Sequence, residues 1–158
     1  SEMCIRDSPS LALEAGVQGH LAQGKGQDWI AKRVDGKVNR NLLTAALHDT
    51  VRNPRYPDAT NLTYKGLCDM TAQQLRAALG LKGKANIRDH MSAEALAYIS
   101  VAEAVIAAKL RSLPEIITWE QAADIITEFA TMIGRQAQET SKALGMNLFT
   151  GQALIGGR

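Results

Sequence analysis

Residues 61–109, NLTYKGLCDMTAQQLRAALGLKGKANIRDHMSAEALAYISVAEAVIAAK, hold two helix starts on either side of a Gly/Lys turn, with a charged cluster, Asn86-Ile87-Arg88-Asp89-His90, before the second. Thr71 followed three residues later by Gln74 matches the capping box, in which each residue satisfies an orphan amide of the other. The helix from Thr71 is expected to bury Leu75, Ala78 and Leu79 and to end at Gly80, with Arg76 pointing elsewhere. Ser92 is a good N-cap, and Glu94 lies in the first turn where the helix dipole favours negative charge. Leu96, Ile99, Ala102, Ile106, Leu110 and Leu113 then recur at spacings of three and four until Pro114. This is the stripe of a core-facing helix. Glu103 stands among small residues within it, where it either meets a basic group from the first half of the chain or faces solvent.

Beyond Pro114, a second capping box, Thr118 with Gln121, opens a long helix through Trp119, Ala122, Ile126, Phe129, Ile133 and Ala137, with Gly145 as its C-cap. Its Ala130/Gly134 region suits close packing, within the chain or against a partner subunit. Two long amphipathic helices joined at a proline predict an antiparallel hairpin. On the N-terminal side, Asn53-Pro54-Arg55-Tyr56-Pro57-Asp58 is a strong breaker, because each proline fixes its own φ and disfavours helix in the residue before it. A short helix is expected after it, over 61–67. Before it, Asp28 is expected to cap a basic amphipathic helix or helix pair carrying Trp29, Ile30, Arg33, Val34 and Lys37, weakened near Gly36 and resumed by Leu42, Leu43, Ala46 and Leu47. Trp29 reads as a core anchor in preference to a base-stacking ring. The fold class expected is mainly α, a small helical domain with a C-terminal antiparallel helical hairpin.

Composition agrees. The 158 residues are 46% hydrophobic, 22% charged and only 4% aromatic, a balance that suits a globular helical domain. Residues 3–8, Met-Cys-Ile-Arg-Asp-Ser, are similar to the in-frame translation of a transposase-type sequencing adapter, so 1–8 are expected to be an assembly scar of a metagenomic fragment. The next methionine is Met70, so the native start is expected to be missing. Residues 9–26 read as a linker or disordered lead, and 27–158 as a single helical domain. With Cys4 inside the scar, Cys68 stands alone and reads as a small buried hydrophobe of a reducing cytoplasm. No apolar run approaches the roughly 18 residues that span a bilayer, so no membrane partner is expected.

The net charge of +2 conceals an asymmetry, since residues 20–90 carry twelve Lys/Arg against six Asp/Glu and residues 91–158 carry five against seven. A basic half of this kind is a candidate nucleic-acid face; the alternative is the solvated side of a helix. The turn Leu81-Lys82-Gly83-Lys84-Ala85-Asn86 resembles the connection of a DNA-reading helical motif, although it is longer than the usual three or four residues. Phosphate-cradling, dinucleotide-binding, nucleophile-elbow and paired-carboxylate patterns are absent. His48-Asp49 and Asp89-His90 are adjacent pairs without metal-ligand spacing. No enzyme, no metal and no cofactor is therefore expected.

Tyr64-Lys65-Gly66-Leu67 and Asn86-Ile87-Arg88-Asp89-His90-Met91 together resemble a module of phage and prophage regulatory proteins, the antirepressor or BRO-like group that includes relatives of DNA-damage-inducible protein D. The resemblance extends over about residues 29–154. It departs from the pattern at Gly66-Leu67-Cys68, where several relatives carry an aromatic third residue. It implies a non-enzymatic regulatory module in a bacterial host cytoplasm, with double-stranded DNA or a repressor protein as partner. The residues expected to contact nucleic acid are Lys32, Arg33, Lys37, Arg40, Lys82, Lys84 and Arg88. Asp89 is expected to anchor the helix that Ser92 opens, with Arg88 beside it as either anchor or contact and His90 as a partly buried neighbour. The alternative is capture of a repressor through the helical hairpin, without DNA.

Overall fold

Hydroxyl side chains set three of the helix starts. A computed structural model of the protein describes residues 26–154; residues 1–8, expected to be a scar, most of the lead expected at 9–26, and the last four residues lie outside them. Thr71 Oγ1 accepts from Gln74 N at 3.3 Å while Gln74 Oε1 accepts from Thr71 N at 2.8 Å, closing the first capping box. The second closes in the same way between Thr118 and Gln121. Ser92 Oγ accepts from Ala95 N at 3.1 Å. These caps open α3 (Ala72–Ala78), α5 (Trp119–Leu144) and α4 (Ala93–Ser112) respectively. Gly80, at φ +68°, turns the chain after α3, and Gly145, at φ +73°, is the left-handed C-cap of α5.

The first half differs from expectation in three places. α1 (Gln27–Thr50) is one continuous helix of 24 residues, and Gly36 does not interrupt it. Gly36 is buried where α1 passes α4, and packing there outweighs its poor helix propensity. Asp28 lies in the first turn, and the N-cap position belongs to Gly26. α2 (Tyr56–Cys68) begins five residues earlier than expected, with Pro57 in its first turn, where the missing amide is no loss. A 3-10 turn, η1 (Ile87–His90), follows α3; Asn86 Oδ1 accepts from Arg88 N at its start. Among the described residues there are five α-helices and no strand, only two isolated bridges, Val51 with Ile117 and Met146 with Ala153.

Each long C-terminal helix packs most extensively on a helix from the first half, α4 along α1 and α5 along α2. α1 and α4 run in the same direction, tied at one end by Trp29 Nε1 donating to Met91 O at 2.7 Å and at the other by Arg111 to Asp49. Trp29 is thus the core anchor that its stripe suggested. α4 and α5 run in opposite directions. Tyr98 and Thr140 share a hydrogen bond of 2.6 Å near one end, and Ile106 and Leu110 cluster with Ala122 and Ile126 near the other. α2 and α5 touch backbone to backbone: a Cβ on Gly134 would lie 2.1 Å from Gly66 O, and one on Gly66 would lie 2.5 Å from Ala130 Cβ. The Ala130/Gly134 stripe is therefore used inside the chain. The tail folds back, with Leu148 and Phe149 buried and Ser92 Oγ donating to Leu148 O.

Two apolar clusters make the core. One gathers Tyr64, Leu67, Leu75, Ile87, Met91, Leu96, Ile99, Leu148 and Phe149; the other gathers Leu43, Leu47, Val51, Ile106, Leu110 and Ile126. α4 feeds both, and Glu103 falls between its contributions to each.

Candidate anion-binding cleft

The charged cluster at 86–90 folds inward more than outward. Arg88 is only 4% exposed and Glu103 only 2%. Arg88 Nη1 and Nη2 donate to Glu103 Oε1 and Oε2 at 2.8 and 3.0 Å, and Nε donates to the Tyr64 hydroxyl at 3.1 Å. The pairing is the planar, two-bond fork that guanidinium and carboxylate geometry favours. Burial works against the charge on Arg88, but the Glu103 hydrogen bonds and carboxylate outweigh it and hold the guanidinium above its ordinary pKa. Beside this pair, Arg33 Nε donates to Asp89 Oδ1 at 2.9 Å, with the Arg33 side chain buried and that of Asp89 half-buried. Asp89 therefore ties its segment to α1 through Arg33. His90 is exposed, contrary to expectation.

Arg33 and Arg88, the basic members of these pairs, line a cleft of about 650 Å³ between α1, α2, α3 and the turn that leads into η1. Arg33, Lys37 and Arg40 reach it from α1, Arg76 from α3, and Lys84 and Arg88 from the turn and η1. Six cationic residues line it and no carboxylate does. With Arg33 and Arg88 matched by Asp89 and Glu103, the charges of Lys37, Arg40, Arg76 and Lys84 remain in surplus at the mouth and walls. Burial, and then the Arg33 guanidinium, hold the Lys37 ammonium below its ordinary pKa, with Asp89 acting in the other direction. Arg40 Nη2 donates to Thr60 Oγ1 at 3.2 Å, which fixes its guanidinium against α2.

Five of the seven residues expected to contact nucleic acid are thus brought together, with different standing. Lys37, Arg40 and Lys84 present charge to the cleft. Arg33 and Arg88 line it with side chains 5% exposed and engaged in ion pairs with Asp89 and Glu103. Lys32 faces another concavity, with Val38, Ala97 and Val101, and Lys82 is exposed on the turn outside the cleft lining. The sequence reading missed Arg76. Its Nη1 and Nη2 donate to the carbonyls of Ala85 and Gly83, so this side chain braces the turn that carries Lys84. The only sequence signal for it is a cation within α3 facing away from Leu75.

Among the described residues, His48 and Cys68 each bond to a residue nearby in the sequence. His48 pairs with its neighbour Asp49 on the surface. Cys68 Sγ donates to Tyr64 O, and burial pushes its thiol up to about 11. Among the described residues no three His, Cys, Asp or Glu are grouped to hold a metal ion, and no helix is long and apolar enough to cross a membrane. Comparison of the chain with protein-family models, with curated proteins and with solved structures gives no match.

Proposed function

We propose that this chain is a non-enzymatic nucleic-acid-binding module, of the phage regulatory kind that its Tyr64–Leu67 and Asn86–Met91 motifs suggest, and that it binds through phosphates. The observation that carries the reading is the convergence of six cationic residues on one carboxylate-free cleft. Concentrated positive charge held on rigid helices is what phosphate recognition requires, and it supplies affinity without sequence information. The test is oligonucleotide binding at two salt concentrations. Three phosphate contacts, from Lys37, Arg40 and Lys84, give a log–log salt slope near −2.7 on duplex DNA, or a loss of about 40-fold in affinity between 50 and 200 mM salt. Lys84→Met lowers that slope by about 1. Salt-independent binding, or binding unchanged by neutralising Lys37, Arg40 and Lys84 together, refutes the reading.

Capture of a repressor protein is the second reading, favoured by one observation. Val38, Leu42 and Val101 are 40%, 51% and 47% exposed on neighbouring faces of α1 and α4, and adjoining exposed apolar side chains of this size mark interaction surfaces. It predicts a stable protein complex lost on Leu42→Asp and indifferent to Lys84→Met.

A further inference from the structure

The nucleic-acid reading leaves open which form of nucleic acid the cleft takes, and the shape of the cleft bears on this. Reading duplex DNA in a groove needs side chains carried on a convex element that enters a channel about 12 Å wide and 8.5 Å deep. Here the charges are recessed instead. Lys37 and Arg76 are half-buried, Arg33 and Arg88 fully so, and only Arg40 and Lys84 stand exposed. The whole concavity is about 650 Å³, so a duplex would touch its rim and leave its walls unused. A flexible, unpaired sugar-phosphate backbone can enter it, and a positively charged groove that tracks such a backbone is the general device for single strands.

Most single-strand sites add aromatic platforms for the bases. Tyr64 is the one aromatic residue lining this cleft, and it is 3% exposed, with its hydroxyl engaged by Arg88. Its ring is therefore not available to a base. We infer that the cleft binds unpaired nucleic-acid backbone, through linked phosphates held between Lys37/Arg40 on α1 and the Arg76-braced Lys84 turn, with no stacking and hence no base preference. The inference rests on the proposed nucleic-acid function and narrows it.

The test compares, on the full chain, a fluorescent oligothymidine of twelve nucleotides, an abasic strand of the same length and a blunt hairpin duplex, all at 50 mM salt. The oligothymidine is expected to bind at least about tenfold tighter than the duplex, and the abasic strand within about threefold of the oligothymidine, because a stacked base would contribute a further fivefold or more. Lys37→Met with Lys84→Met is expected to weaken strand binding by about tenfold or more, whereas Lys32→Met with Lys82→Met, outside the cleft, changes it by less than twofold to threefold. Duplex binding equal to or tighter than single-strand binding, still sensitive to Lys37 and Lys84, overturns the single-strand inference and leaves the nucleic-acid function standing. A large loss for the abasic strand overturns the backbone-only recognition. Binding to none of the three probes removes both the inference and the function on which it rests.

Discussion

Removing one side of the Arg88–Glu103 pair is expected to damage the fold far more than removing both. Glu103→Leu leaves a buried guanidinium with the Tyr64 hydroxyl as its remaining side-chain hydrogen-bond partner among the described residues, and Arg88→Met leaves a carboxylate that is 2% exposed between the two apolar clusters. Breaking a buried ion pair in this way is destabilising by about 3–5 kcal/mol, against a total stability of about 5–15 kcal/mol for an ordinary domain. The double variant, Arg88→Met with Glu103→Leu, removes both charges and keeps much of the volume. Such replacements are close to neutral or stabilising. In urea, with a slope near 2 kcal/mol per molar, each single change lowers the midpoint by about 1.5–2.5 M, and the double variant recovers most of that loss. Equilibrium unfolding followed by circular dichroism on all four proteins closes the cycle. Additive losses, or single variants within about 1 kcal/mol of the parent, would mean that water reaches the pair and that its burial is not what sets its energetics.

Two glycines on long helices are predicted to behave oppositely. Gly134→Ala drives a methyl to 2.1 Å from the Gly66 carbonyl, a backbone atom with little freedom to yield, and is expected to be destabilising by about 3 kcal/mol or more in a thermal melt. Gly36→Ala meets nothing nearer than Ser100 Oγ at 3.6 Å and is expected to stabilise by about 0.5–1 kcal/mol through helix propensity; equal melting temperatures for the two variants would contradict the crossing geometry. At Cys68 a thiol raised from 9.0 to about 11 holds its proton more tightly in the folded chain. At pH 8 its thiolate is therefore about 100-fold scarcer than that of an unperturbed thiol, and alkylation in a Cys4→Ser background should be slower by that factor or more until the chain is denatured. Rapid alkylation of the native protein would show the site to be open.

Local signals were legible in the sequence wherever a side chain acts on its own backbone. Thr71, Ser92, Thr118 and Gly145 each declare a helix end by short-range chemistry, and the stripe from Leu96 to Leu110 declares a buried face. Gly36 misled because its propensity is a weak local term overruled by packing against α4. Pro57 misled in the other direction, since a proline that stops one helix can equally begin the next. The cleft was half legible. Charge composition pointed to Lys37, Arg40 and Lys84, but nothing local distinguishes Lys32, which α1 turns to another face from Lys37, or shows that Arg88 meets a carboxylate 15 residues on. Arg76 could not be recognised because its role depends on a turn that begins beyond its own helix.

The Asn86–Met91 motif has a further consequence. Asn86 caps η1, Arg88 joins Tyr64 to Glu103, Asp89 holds α1 through Arg33, and Met91 receives the Trp29 indole. Nearly every letter of it is consumed in assembling the frame, and the ligand-facing charge comes from Lys37, Arg40 and Lys84, which stand outside it. Chains that share this hexad, with a glutamate in the place of Glu103, are thus expected to share an architecture while diverging in what they grip, because the letters that build the frame and those that meet the guest can change independently.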